Sequence, residues 1–154
     1  MYNGDDSYIK LERKYKQGGL GYKDSASITR EQVKAVINGD VSWLADSQNE
    51  VLTGFYTRIK NEGLRPKVIV DYTREPFVYG PGNVRVTLDY NIRTGLNSTD
   101  FLNPHCVTVP VKDDPRILEV KWDAYLPDVI KDAVQLDGRR SGAFSKYAAC
   151  RMYD

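Results

Sequence analysis

Asn83-Val-Arg-Val-Thr-Leu-Asp-Tyr-Asn91 alternates residue by residue. Val84, Val86, Leu88 and Tyr90 fall on one side of an extended chain, and Arg85, Thr87 and Asp89 on the other. That period of two is the signature of a β-strand. The same alternation lies on both sides of this stretch. In Tyr8 to Lys16, Lys10, Glu12, Lys14 and Lys16 oppose Ile9, Leu11 and Tyr15. In Arg116 to Trp122, Leu118, Val120 and Trp122 oppose Ile117, Glu119, Lys121 and Asp123. A further strand, rich in Val, Ile and Tyr, is expected from Lys67 to Arg74. Four strands thus each carry one charged face.

Helices are expected between and after them. Thr29-Arg30-Glu31-Gln32 reads as a capping box opening a helix through Val33, Val36 and Ile37 that Asn38-Gly39 ends. Ser47-Gln48-Asn49-Glu50 reads as a second box, starting a longer helix with the apolar stripe Val51, Leu52, Phe55, Tyr56 and Ile59, closed by Gly63. Pro127 suits the first turn of a helix through Val129, Ile130, Ala133 and Val134 to Gly138. Gln17-Gly18-Gly19-Leu20-Gly21 is expected to be a flexible link, and Ala143 to Ala149 a short strand. The total predicts an α+β fold with a mostly antiparallel sheet.

The chain has 154 residues, 41% hydrophobic content, one His and two Cys, which fits one compact unit without a linker or internal repeat. Its net charge of +1 supplies no global field toward nucleic acid or membranes, so any anion-binding surface must come from local sorting of charge. No apolar run approaches the roughly 18 residues of a spanning helix, and the first residues lack a signal-peptide pattern. No nucleic-acid partner, no membrane insertion and a cytoplasmic location are therefore expected. Cys106 and Cys150 form neither a disulfide framework nor a zinc pattern. His105-Cys106 follows Asn103-Pro104 in a loop and reads as structural, and Trp43 and the Phe55-Tyr56 helix read as packing surface. Asn3-Gly4-Asp5 signals a hairpin turn with only Met1 and Tyr2 before it. It either closes an element absent from this chain or is a loose terminus.

Two readings of the charged faces stand open. Each strand can lie on a helix layer and show its charges to water. Alternatively the sheet curls so that Lys10, Lys14, Lys16, Arg85 and Lys121 crowd a shared cavity with Glu12 and Glu119. Two like charges about 8 Å apart repel by roughly 2 kcal/mol at an effective dielectric near 20. A polyphosphate or nucleotide would offset that repulsion, arginine forks gripping oxygens in pairs and lysines acting as point charges. Carboxylates among the cations suit Mg²⁺ or Mn²⁺, which phosphate chemistry holds with one or two of them.

Five pieces, in order, resemble the VTC domain, the polyphosphate polymerase domain of the vacuolar transporter chaperone complex, which has many bacterial relatives. They are Leu11-Glu-Arg-Lys14, Val68-Ile-Val-Asp-Tyr-Thr-Arg74, Asn83-Val-Arg-Val-Thr-Leu-Asp89, Ile117-Leu-Glu-Val-Lys121 with Leu126-Pro127, and Phe144-Ser-Lys-Tyr147. The resemblance covers nearly the whole chain. It implies a single tunnel domain over residues 1–154, related to the CYTH-like triphosphate tunnel enzymes, in which antiparallel strands with flanking helices curl into a partial barrel lined by Lys, Arg and Glu. It implies transfer of the γ-phosphoryl of ATP onto a polyphosphate chain with a divalent metal, Mn²⁺ or Mg²⁺.

Carried over by motif, Lys14, Arg85 and Lys146 are catalytic, gripping the reacting phosphates, and Glu119 holds the metal. Lys10, Lys16, Lys23, Arg74, Lys121 and Arg140 are further phosphate contacts, with Arg74 alternatively structural and Arg139 or Arg140 replacing a basic residue that some members have at Ala143. The family also has an Arg-x-Arg strand before the Asn-Gly turn, which this chain lacks. An N-terminally shortened domain is expected, with a homo-oligomer as one way to complete its sheet. The activity is expected to be polymerase-type. Hydrolysis of tripolyphosphate or nucleoside triphosphates, or non-catalytic polyphosphate binding, are the alternatives. No P-loop sequence is present.

Overall fold

In the structure, a computed structural model that describes residues 2–153, the chain divides into two compact units. Met1–Lys67 with Thr99–Cys106 form the first, and Val68–Ser98 with Val107–Asp154 the second. The secondary structure is mixed helix and antiparallel strand, as the alternation and capping signals predict. Among the described residues the strands form one sheet of two and one of four, and no closed barrel.

The first unit is built on a hairpin. β1 (Ile9–Gln17) pairs antiparallel with β2 (Leu20–Ile28), in a register that sets Lys14 opposite Lys23 and Tyr15 opposite Tyr22. The glycine-rich segment expected as a flexible link is instead the tight turn of this hairpin. Gly18 and Gly19 have φ of 58° and 82°, the left-handed conformations that a two-residue turn needs and that glycine adopts without a Cβ clash. The earlier Asn3-Gly4 signal also forms its turn: Tyr2 bridges Asp5 across residues with φ of 52° and 70°.

α1 (Arg30–Ile37) begins at the expected capping box of Thr29 and Gln32. A short α2 (Ser42–Ala45) follows, and α3 (Glu50–Glu62) ends at Gly63 in the left-handed conformation. The cap of α3 differs from expectation. Asn49, not Ser47, accepts the first-turn N–H, from Val51, while the Ser47 hydroxyl accepts from Asn49 N–H. An Asx side chain two residues ahead of a free amide reaches it with less backbone rearrangement than a more distant serine. The apolar positions of the hairpin and helices meet in a core of Ala26, Val41, Leu44, Val51 and Leu52, beside a smaller cluster of Ile9, Val33 and Leu102.

The second unit centres on β4 (Val84–Thr94). β3 (Val70–Tyr79) pairs along one of its edges, and β5 (Val109–Pro110) and β6 (Ile117–Lys121) pair along the other. β3 thus begins three residues later than expected and runs on beyond Arg74. α4 (Asp128–Ala133) forms where expected but is shorter: Pro127 is its N-cap rather than part of its first turn, and it ends at the Val134 cap, short of Gly138. The segment expected as a last strand is a helix, α5 (Lys146–Cys150), because the Ser145 hydroxyl caps it by accepting from Ala148 N–H and the two alanines favour helix.

Near Asn91, which has φ of 51°, β4 sets two residues, Asn91 and Ile92, against the single Tyr72 of β3, so Tyr90 faces Thr73 but Arg93 faces Asp71. This bulge resets the alternation. Ile92 and Thr94 then share the face of Thr87 and Asp89, and all four are buried. Ile92 packs with Val111 and Cys150. Thr94 donates its hydroxyl to the Cys150 carbonyl at 3.0 Å and accepts Leu96 N–H at 3.0 Å, which ties α5 to β4.

Gly82, in the 3₁₀ turn Pro81–Asn83 that leads into β4, has φ of 75°, and a Cβ there would stand 2.4 Å from the Tyr125 carbonyl oxygen. Gly82→Ala should therefore cost about 3 kcal/mol through backbone strain and collision with main chain. Urea unfolding measures this, and a wild-type midpoint would show that the turn yields freely.

Candidate functional site

The charged face predicted for the 83–91 strand is the buried face of its sheet. Directly paired residues share a face, so the register assembles three cross-strand rows: Arg74–Asp89–Ile117, Pro76–Thr87–Glu119 and Val78–Arg85–Lys121. Asp89 is fully buried and Thr87 is 2% exposed, while Arg85 and Lys121 are exposed. The opposite face, with Phe77 59% and Leu118 36% exposed, is the more open one. One face thus runs from apolar packing at Ile92, through buried ions, to exposed cations.

Asp89 is the centre of the ions. Arg74 donates to it through two nitrogens, Nε to Oδ1 and Nη2 to Oδ2, both at 2.6 Å. Lys146 Nζ, one residue inside α5, reaches Oδ2 at 2.7 Å. Burial alone would raise the Asp89 carboxyl, but the hydrogen bonds from Arg74 and Lys146 outweigh it and hold the group below its ordinary range. Arg74 is correspondingly pushed up, chiefly by its hydrogen bonds to Asp89. The Tyr72 ring stands 4.8 Å from Lys146 Nζ and 5.4 Å from the Arg74 guanidinium, an aromatic wall that favours both cations.

Glu119 is held more loosely, 3.7 Å from Arg74 Nη2 and 3.2 Å from Lys121 Nζ. Arg85 makes no ion pair among the described residues. The cluster therefore sets four cations against two carboxylates, with fixed donors and a local positive excess. It is suited to binding an anion with several oxygens.

The register thus brings Arg74, Arg85, Lys121, Glu119 and Lys146 onto one surface of the second unit. Arg139 and Arg140 lie exposed in the loop between α4 and α5. In the first unit, Lys10, Glu12, Lys14, Lys16 and Lys23 share the exposed face of the hairpin. Lys23 donates to Glu12 at 3.0 Å, which lowers the Glu12 carboxyl, and Lys10 lies over the Tyr8 ring. Lys14 faces Lys23 directly, a like-charge pairing that destabilises an isolated hairpin. Among the described residues, no three His, Cys, Asp or Glu gather as a metal cage.

This order of strands, bearing the basic and acidic motifs at these positions, is accompanied by a match of the family model "VTC domain" to residues 1–153. The chain belongs to the VTC domain family. Neither the curated proteins nor the solved structures yielded a match. VTC membership points to polyphosphate-related chemistry, and both units of this VTC domain fall within the match. Among the described residues, no helix is long and apolar enough to cross a membrane.

Two residues of the VTC cluster were not singled out from sequence. Asp89 falls on the charged face, but nothing in the linear order shows that Arg74, 15 residues before it, and Lys146, 57 residues after it, both close on it. Tyr72 carries only the signal of its spacing, two residues before Arg74 on the same face.

Because the folded Asp89 is more acidic than its ordinary value of 3.8, its contribution is present above that value and fades as the pH falls through the lower folded one. Asp89→Asn should lose about 3 kcal/mol near neutral pH, by leaving the half-buried Arg74 and Lys146 without the Asp89 charge. It should also show a flatter loss of stability below about pH 4 than wild type. Thermal unfolding across pH 2–8 tests both. Parallel wild-type and variant curves would refute the assignment.

Proposed function

We propose that the domain binds linear polyphosphate and the triphosphate of ATP through the charged face of β4, and transfers the γ-phosphoryl of ATP onto a polyphosphate chain in a tunnel. The observation that carries this reading is the Asp89 cluster. A buried carboxylate holds Arg74 and Lys146 rigid, with exposed Arg85 and Lys121 beside them, in a VTC domain. Phosphoryl transfer asks for alignment of donor and acceptor and for neutralisation of the equatorial oxygens, with little covalent work by the protein. The acceptor, a terminal phosphate, is already anionic, so no general base is needed.

The residues divide this work. Arg74 spends Nε and one Nη2 hydrogen on Asp89 and keeps its remaining donors, and Lys146 spends one of three. These two position phosphate oxygens, while Arg85 and Lys121 extend the grip along the chain. On the family motif Lys14 is also a phosphate contact, with Lys10, Lys16 and Lys23 on the same hairpin face and Arg140 in place of a basic residue that some members have at Ala143.

A divalent ion, Mn²⁺ or Mg²⁺, fits the acidic groups only in part. Asp89 is saturated by its cations, whereas the Glu119 side chain is 39% exposed and loosely paired. Glu119 would therefore hold the ion as a single carboxylate, phosphate oxygens completing its shell, as is common for metals that travel with phosphates. When bound, the ion supplies further charge neutralisation on those oxygens.

Incubation of the full chain with ATP and Mn²⁺ tests the reading. Long polyphosphate on a gel supports polymerase activity. Release of phosphate without polymer makes the domain a hydrolase, and binding without turnover a polyphosphate-binding module. Arg85→Ala should weaken polyphosphate binding about tenfold, the value of one charge-assisted contact, at wild-type melting temperature, because Arg85 is exposed. Lys146→Ala should weaken it at least as much, with loss of stability. Unchanged affinity in both variants would eliminate this face as the binding surface.

A further inference from the structure

Thr87 presents an unexplained polar atom at the middle of the charged face. Its hydroxyl is buried and, among the described residues, has no hydrogen-bond partner. Buried hydroxyls normally find one, as Thr94 does on the same face. The neighbours of Thr87 explain the vacancy. Across β3 stands Pro76, whose side chain has no polar atom, and across β6 stands Glu119. Along its own strand, Asp89 is occupied by Arg74 and Lys146 and Arg85 has no acceptor. Glu119 is thus the acceptor next to Thr87, yet its carboxylate is drawn aside, one oxygen to Lys121 and the other toward Arg74.

Those two cations are the ones a polyanion would take. Resting on the polyphosphate reading above, we propose that Thr87 is a positioning residue that receives Glu119 when phosphate displaces it from Arg74 and Lys121. In the ligand-free site Glu119 neutralises cations, and the Thr87 O–H is left without an acceptor. Once phosphate oxygens occupy Arg74 and Lys121, Glu119 loses its counter-ions beside an incoming negative charge. A swing toward Thr87 gives one carboxylate oxygen a donor and leaves the other free for a divalent ion that accompanies the phosphates. Facing residues of an antiparallel pair have Cβ atoms about 5 Å apart, within reach for a hydroxyl to donate to a glutamate oxygen. The unmade bond of the free protein is then made in the bound one, so it adds to affinity rather than to resting stability.

The two quantities should therefore move in opposite directions. Thr87→Val keeps the shape and removes the orphaned hydroxyl. It should raise the melting temperature of the ligand-free chain by about 3 °C, a typical response for a domain of this size. It should also weaken binding of tripolyphosphate, titrated calorimetrically against the full chain, by about tenfold. Thr87→Ser, which keeps the hydroxyl, should bind as wild type does. Thr87→Ala, which lacks it, should show the valine variant's loss and so covers a valine variant that packs badly. In a Glu119→Ala background, Thr87→Val should have no further effect on affinity.

A lower melting temperature for Thr87→Val with tripolyphosphate affinity kept at the wild-type level would mean that the hydroxyl is already satisfied, and would overturn the proposal. So would wild-type affinity in Thr87→Val and Thr87→Ala, or an undiminished loss in the Glu119→Ala background. In each case tripolyphosphate binding by the wild-type chain leaves the broader reading intact. Failure of the wild-type chain to bind would bring down both.

Discussion

A carboxylate with no exposed surface, Asp89, holds two cations that come from different parts of the chain, Arg74 from a neighbouring strand and Lys146 from the last helix. The second unit depends on this interaction. An ionised carboxylate in such a place is tolerable only if its lone pairs are met, and three short charged hydrogen bonds meet them. Each partner is fixed in return. The geometry of Arg74 is set by a two-pronged contact, and that of Lys146 by one short bond and the Tyr72 ring. The apolar packing of Ile92, Val111 and Cys150 continues the same face and anchors the helix that delivers Lys146. Core and site are therefore one surface, read at two ends.

This arrangement explains how a chain of nearly zero net charge can hold a surface for polyanions. The carboxylates do not cancel the cations so much as aim them, leaving donors directed toward the open end where Arg85 and Lys121 lie. Glu119 and Thr87 stand between the rigid end and the open end, the first loosely paired and the second unpaired. Incomplete satisfaction of buried polar groups costs stability, and chains keep such groups where binding makes up for the loss.

Much of this was readable in the residue order. The alternation in β1, β4 and β6, the capping box of α1 and the glycine stop of α3 all form as their local chemistry requires, because short-range sterics and hydrogen bonds decide them. The five family motifs mark Arg85, Glu119, Lys121 and Lys146; the register brings the first three onto one face, and α5 brings Lys146 to Asp89 on it. The errors fall where a short segment lacks a clear period. Leu20–Ile28 hides a strand behind glycines, and Lys146–Cys150 is too short for alternation and helix to be told apart until the Ser145 cap is seen.

By itself the sequence determined the antiparallel α+β character, the family, and which side of each strand carries charge, since these follow from local periodicity and motif. Tertiary structure alone decided that the charged side of β4 is the buried one, that Asp89 collects Arg74 and Lys146, and that Thr87 has no hydrogen-bond partner among the described residues. Those facts depend on a single-residue bulge at Asn91 and on contacts between residues far apart in the chain. No local pattern encodes which distant cation will arrive to compensate a buried charge.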